Sequence, residues 1–212
     1  YQPNTNWRWW GFPYAHMKAF LTHPFSVMRH FCGDITHVQA FVERPSFRKK
    51  AGDAMLSING INVKFANGGI GYLLSQRGDS PFGLGGWWSV EVSGTNGAFC
   101  IENCIEKITL WEGPDPKRPA NPAAMSMGMA AVADVFDTGI KDFSATFPLR
   151  IHAFLEDVTN GVPRESLRAS GRDGLAALEY TWAAMESYEQ GGALVRPHPL
   201  PILHGTPGTT PD

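Results

Sequence analysis

Three apolar residues near the start of the chain recur at helical spacing: Phe25, Met28 and Phe31. This spacing predicts a short helix that turns one face toward a core. Pro24 lacks an N–H and is tolerated in the first turn of a helix, so we expect the helix to begin near Thr22 or His23. Gly33 can adopt the left-handed conformation that closes a helix, and we expect the helix to end there.

After this helix the apolar period changes to two, beginning with residues 34–44. Turn signals then separate further short apolar runs: Asn59-Gly60, Asn67-Gly68-Gly69 and Thr95-Asn96-Gly97. Asn-Gly favours tight hairpin turns because the turn positions require positive φ. The pattern up to residue 111 therefore predicts an antiparallel sheet of about six strands.

The remaining sequence predicts helices. Residues 123–136 are small and Met-rich, and we interpret them as helical. Apolar positions from 147 to 158 have helical spacing, and Asn160-Gly161 should end that helix. Ser170 and Asp173 form a capping-box pattern at the start of a last helix, which Gly191-Gly192 should stop.

A helix, then a run of strands, then helices is typical of the α+β class. We expect an open, largely antiparallel sheet with helices packed on one face. The other face also carries apolar side chains, which predicts contact with a second copy of the chain, that is, a homo-oligomer.

Composition narrows the functional classes. The 212 residues carry a net charge of −2, so no basic field favours nucleic acid or an anionic membrane surface. The chain lacks the run of about 18 apolar residues that a membrane-spanning helix requires. Its three cysteines show no metal-ligand spacing and no disulfide framework, which makes a reducing cytoplasm the expected location.

Nucleotide and metal signals are absent from the sequence. No G-x-G-x-x-G or Walker loop occurs, so the chain is not expected to bind a dinucleotide by itself. His16, His23 and His30 recur every seven residues, a helical rise of about 10.5 Å that is too long for one zinc ion. We therefore expect no metal site. His23, beside Pro24 at the helix start, is a candidate proton donor or acceptor.

The order of several motifs resembles one family. His23-Pro24-Phe25-Ser26, with Gly33-Asp34 ten residues further on, resembles the H-x-x-D…G-D stretch that opens the substrate domain of the glucose–fructose oxidoreductase / inositol dehydrogenase / MocA family. Residues 90–97 (VEVSGTNG) are similar to that family's hairpin, and residues 168–195 to its C-terminal tail. The resemblance covers about residues 14–197 and depends on order and spacing rather than on one motif.

The resemblance implies the C-terminal half of an NAD(P)-dependent oxidoreductase that acts on sugars, cyclitols or related hydroxyl compounds. It implies a dihydrodipicolinate-reductase-like domain for substrate binding and oligomerisation over residues 16–197. Residues 1–15 would end an interdomain segment, and residues 198–212 would form a flexible tail. The Rossmann domain that binds NAD or NADP would lie upstream, outside this chain, so the isolated chain is expected to be inactive.

The resemblance also implies site residues. His23 takes the place of the family's catalytic histidine. The family's aspartates, four residues before and three residues after that histidine, are replaced by Ala19 and Ser26. The carboxylate that would orient the histidine and raise its pKa is thus absent from both positions. A rearranged proton relay, an unusual substrate class and a loss of activity all stay open. From the residues themselves, we expect Trp10, Tyr14, His16 and Lys18 to line the substrate pocket, with Trp87 as a secondary candidate, because aromatic faces stack on polyols and polar groups bind their hydroxyls.

Two other functions stay open at this point. A carbohydrate-binding or assembly module without chemistry is favoured by Ala19 and by the absent nucleotide loop. A histidine-based metal enzyme is the weaker alternative.

Overall fold

A computed structural model describes residues 12–44, 54–76, 88–103, 105–112 and 132–200. The chain divides into two compact units, the first from residues 1–79 and 169–212 and the second from residues 80–168. Four α-helices lie within the described ranges: α1 (Ala15–Phe20), α2 (Thr22–Cys32), α3 (Thr146–Thr159) and α4 (Gly171–Glu189). Seven strands lie there too: β1 (Ile35–Glu43), β2 (Ile58–Phe65), β3 (Ile70–Gln76), β4 (Val90–Gly94), β5 (Gly97–Glu102), β6 (Lys107–Glu112) and β7 (Val132–Asp137).

The first unit packs helices on one face of an antiparallel sheet with strand order β1-β2-β3, called sheet 1. Its core joins apolar side chains from α1, α2, sheet 1 and α4: Met17, Leu21, Phe25, Ile35, Val38, Val42, Ile61, Val63, Phe65, Ala177, Tyr180 and Ala184. The opposite face of sheet 1 exposes four large apolar side chains: Phe41, Ile70, Tyr72 and Leu74.

The second unit contains sheet 2, which is antiparallel with strand order β4-β5-β6-β7, and α3. The predicted β4–β5 hairpin is confirmed, since Gly94 pairs with Gly97 across its turn. The α+β class and the open antiparallel strands are also confirmed. The seven described strands form two sheets, however, where the sequence pattern predicted one sheet of about six strands.

The predicted start and end of α2 are confirmed. The helix begins at Thr22, and Gly33 follows it with a φ of +86°. Phe25 is fully buried, and Met28 packs against the core. The expectation for Phe31 was wrong, because this side chain is exposed. Three residues rotate a helix by about 300°, which is about 60° short of a full turn. Phe31, six residues after Phe25, therefore lies about 120° away from it and off the buried side.

The turn predicted at Asn59-Gly60 was also wrong. Both residues lie inside β2, where Asn59 is opposite Val42 of β1 and Ser75 of β3. Pairing on both sides satisfies the backbone of β2 and outweighs the local turn preference. The next signal behaved as predicted, since Gly68 has a φ of +88° in the turn between β2 and β3.

The C-terminal helices follow their capping signals. Ser170 and Asp173 form the predicted capping box of α4, and Gly191 and Gly192 follow its end with positive φ. The helix predicted for residues 123–136 was wrong at its described end, because residues from Val132 onward form β7. Its earlier part, residues 123–131, lies outside the described residues, as do most of the predicted segments 1–15 and 198–212.

A polar network ties the C-terminal end of α2 to β1 and α4. Arg29 Nε donates to Asp34 Oδ1 at 2.7 Å, and Arg29 Nη1 forms an ion pair with Asp173. The hydroxyl of Tyr180 donates to Asp34 Oδ1 at 3.3 Å and accepts from the backbone N–H of Ile35. These contacts join three elements that are distant in sequence.

We predict that Asp173→Asn lowers the free energy of unfolding at pH 7 by about 1 kcal/mol, as is typical for a damaged helix cap. The Ser170 hydroxyl, with Arg29 nearby, holds the pKa of Asp173 below its ordinary value of 3.8. The stabilisation is therefore fully present well above the unfolded-state pKa and is lost as the pH falls through the lower folded-state pKa. Urea unfolding at pH 7 and at several acidic pH values measures this difference.

The control is Asp134→Asn, which changes an exposed aspartate on β7. We expect it to leave the free energy of unfolding within about 0.5 kcal/mol of wild type. A difference between Asp173→Asn and wild type that does not shrink in acid would contradict the assignment.

Candidate functional site

Helices α1 and α2 run nearly continuously and are separated only at Leu21, which keeps helical dihedral angles. Pro24 explains the break, since it has no N–H to donate to the carbonyl of Phe20. On either side the helical bonds continue, from Leu21 N–H to Met17 and from Phe25 N–H to Leu21. The two helices therefore share one buried side and one solvent side.

The buried side fixes which residues reach solvent. Met17, Leu21 and Phe25 are fully buried. Because successive helical residues are about 100° apart, Ala19 and His23 lie on the opposite side, and both are exposed. The imidazole of His23 therefore stands at the surface.

Aromatic rings contact one another along one edge of this exposed face. The ring of His16 stacks on Phe20 with centroids 5.5 Å apart, and Phe20 meets the ring of His23 edge-on at 5.8 Å. His16 is itself buried, and its Nε2 lies 3.0 Å from the hydroxyl oxygen of Ser75 on β3. The row of rings His16–Phe20–His23, called the ring row, thus runs from sheet 1 to the surface.

The other edge of the exposed face contacts α4. The Tyr14 hydroxyl donates to Glu189 Oε1 at 2.7 Å, and Lys18 Nζ lies 5.2 Å from the centre of the Trp182 ring. Burial and the bond to Glu189 raise the pKa of Tyr14 to about 12. Tyr14 therefore stays protonated near neutral pH and acts as a hydrogen-bond donor rather than a base.

A cavity of about 370 Å³ opens at this edge. Its lining residues come from α1 and the segment just before it: Phe12, Pro13, Tyr14, Ala15, Lys18 and Ala19. His23 follows Ala19 by four residues, so it lies one helical turn beyond the cavity on the same exposed face. The arrangement places an exposed imidazole, a group that can donate or accept a proton, beside a concave surface.

The predicted site residues do not all lie at the cavity. Tyr14 and Lys18 line the cavity, and His23 lies beside it. His16 does not line the cavity, because its side chain is buried on the side of α1 that faces β3. Trp10 and Trp87 lie outside the described residues.

Sequence reasoning missed the contributions of Phe20, Trp182 and Glu189. The helical spacing of His16, Phe20 and His23 carried a usable signal, since positions i, i+4 and i+7 share one side of a helix. The contacts from α4 had no such signal, because Tyr14 and Glu189 are 175 residues apart.

Within the described residues, no three histidine, cysteine or acidic side chains are grouped closely enough to hold a metal ion. None of the helices described here has the length and apolar character needed to cross a membrane.

Solved structures share this fold, although no family model and no curated protein matches the chain. An oxidoreductase from Agrobacterium radiobacter, in complex with NAD+, L-tartaric acid and magnesium, matches with a TM-score of 0.63 and 13% identity over 92% of this chain and 53% of its own. Levoglucosan dehydrogenase in complex with NADH matches with a TM-score of 0.65 and 18% identity over 90% of this chain and 54% of its own.

An NAD-binding oxidoreductase from Klebsiella pneumoniae gives a TM-score of 0.62 with 17% identity over 84% of this chain and 49% of its own. The chain thus spans about half the length of these structures. At these identities the similarity shows the fold, which this chain shares with part of several NAD-binding oxidoreductases.

Proposed function

We propose that this chain is the substrate-binding half of an NAD(P)-dependent oxidoreductase that acts on a sugar, cyclitol or related hydroxyl compound. The observation that carries the proposal is the exposed imidazole of His23 beside the cavity at Tyr14 and Lys18, in a fold shared with NAD-binding oxidoreductases. The motif resemblance around His23 supports the same assignment.

In this proposal the chain binds the hydroxyl compound and exchanges a proton with it. During oxidation His23 accepts the hydroxyl proton as the C–H hydrogen leaves with its electron pair, and a carbonyl forms. NAD or NADP supplies the hydride acceptor. The chain contains no G-x-G-x-x-G loop that would hold a dinucleotide, so we assign cofactor binding to a domain outside these residues.

The ring row gives His23 an orienting contact that does not depend on a carboxylate. Ala19 and Ser26 stand where the related family has aspartates. The edge of the Phe20 ring, 5.8 Å from His23, restricts the imidazole by packing. We therefore assign catalysis to His23 despite those two replacements. The alternative, a binding module without chemistry, draws its support from the same replacements.

We predict that His23→Ala lowers kcat/KM by about 10²- to 10⁴-fold, because a general acid–base group contributes that much. The assay uses the longest natural open reading frame that contains this chain, screened with sugars and cyclitols and with NAD and NADP. The control is His30→Ala, which removes another exposed histidine of α2 and should leave turnover unchanged. Equal turnover in His23→Ala and wild type would remove His23 from its role.

We also propose that the exposed face of sheet 1 joins two copies of the chain. Phe41 and Leu74 lie in one row on either side of Gly60, and Ile70 and Tyr72 are 83% and 73% exposed. An apolar patch of this kind is commonly covered by a partner.

We predict that the double variant Tyr72→Glu/Leu74→Glu is monomeric where the wild type is oligomeric, because four introduced carboxylates in a dimer would repel one another. Light scattering after size-exclusion chromatography measures the mass. Phe154→Glu removes an exposed apolar side chain from α3 and should keep the wild-type mass. An unchanged mass in the double variant would contradict this interface.

A further inference from the structure

The ammonium group of Lys18 lies on the wall of the cavity, and no carboxylate among the described residues pairs with it. The Nζ atom lies over the ring of Trp182. Within the described part of the chain, this is the one polar or charged contact of the Lys18 side chain. A cation over an aromatic face at the surface is held more weakly than one paired with a carboxylate. Lys18 is therefore available to bind an anionic ligand.

The rest of the cavity wall is mainly apolar. Phe12, Pro13, Ala15 and Ala19 present carbon surfaces that suit the C–H groups of a polyhydroxy chain or ring. Glu189 is held by Tyr14, which lies one helical turn before Lys18. The negative charge of Glu189 disfavours an anion at the Tyr14 end of the cavity and favours binding of the anion at the Lys18 end.

Ala19 completes this charge pattern. It lies on the exposed face between Lys18 and His23, and it carries no charge. An aspartate at this position would repel a ligand carboxylate bound between the two side chains. With alanine, the site between Lys18 and His23 accepts an anionic ligand without that repulsion.

We propose that the substrate is a hydroxy acid of the sugar-acid type, whose carboxylate binds Lys18 while one of its hydroxyl groups faces His23. Lys18 precedes His23 by five residues, which is a rise of about 7.5 Å and a rotation of about 140° along a helix. A ligand that reaches both side chains must therefore lie across the exposed face, over Ala19, and a six-carbon sugar acid is on this scale. The inference depends on the proposed substrate-binding role of this chain. It narrows the sugar, cyclitol or related hydroxyl compound of that proposal to an anionic one.

The test compares two ligands with the same carbon chain length, D-gluconate and the neutral polyol sorbitol. Their dissociation constants are measured by calorimetry or NMR on this chain, without any turnover. We expect gluconate to bind at least tenfold more tightly than sorbitol, and the preference to weaken as NaCl is raised. Equal affinities, or no binding of gluconate, would overturn the inference.

Substitutions at Lys18 identify the group responsible. Lys18→Met keeps an unbranched apolar stem and should reduce the gluconate-to-sorbitol preference to about one, because the carboxylate of gluconate loses its cationic partner. Lys18→Arg should keep the preference, because the charge remains. Lys64→Met removes an exposed lysine of sheet 1 and controls for net charge. A preference that survives in Lys18→Met would contradict the role of this residue.

The two proposals fail in distinguishable ways. Equal binding of sorbitol and gluconate refutes the carboxylate site and leaves the redox role of His23 intact. Full activity of His23→Ala refutes the redox role and leaves the ligand preference intact.

Discussion

The burial of one side of α1 and α2 is the constraint on which the candidate site depends. Met17, Leu21 and Phe25 have no exposed surface, and each contributes about 1.5–3 kcal/mol through its removal from water. Rotating the helix pair would expose all three side chains. The exposed side is therefore determined by the buried one, and His23 is held at the surface because of where its apolar neighbours pack.

The polar contacts at the end of α2 complete this placement. Arg29 connects Asp34, just before β1, with Asp173, in the first turn of α4. The same α4 then passes Trp182 beside Lys18 and Glu189 beside Tyr14. One helix thus supports the core on its inner side and contacts Tyr14 and Lys18, two residues that line the cavity, at its edge. Damage to the network should therefore reach the cavity through the position of α4.

The sequence predicted the local features of the fold and missed those that depend on distant contacts. Pro24, Gly33 and the Ser170–Asp173 cap act within a few residues, so their effects could be read directly. Asn59-Gly60 has the same local turn preference as Asn67-Gly68, but strands on both sides of β2 override it. His23 could be identified from the motif around it. The contacts of α4 with Tyr14 and Lys18 could not be predicted, because no sequence pattern links residues 14–18 with residues 182–189.

The ring row connects the buried side of the helix pair to the orientation of His23, and NMR of the imidazole ring tests this link most directly. The experiment compares the side-chain rotamer and order parameter of His23 in the wild type and in Phe20→Leu. Phe31→Leu is the matched control, since Phe31 packs edge-on against His30 at 4.8 Å in the same helix. We expect one ordered His23 rotamer in the wild type and in Phe31→Leu, and a mobile ring in Phe20→Leu. A His23 ring that is equally mobile in all three proteins would contradict its orientation by packing.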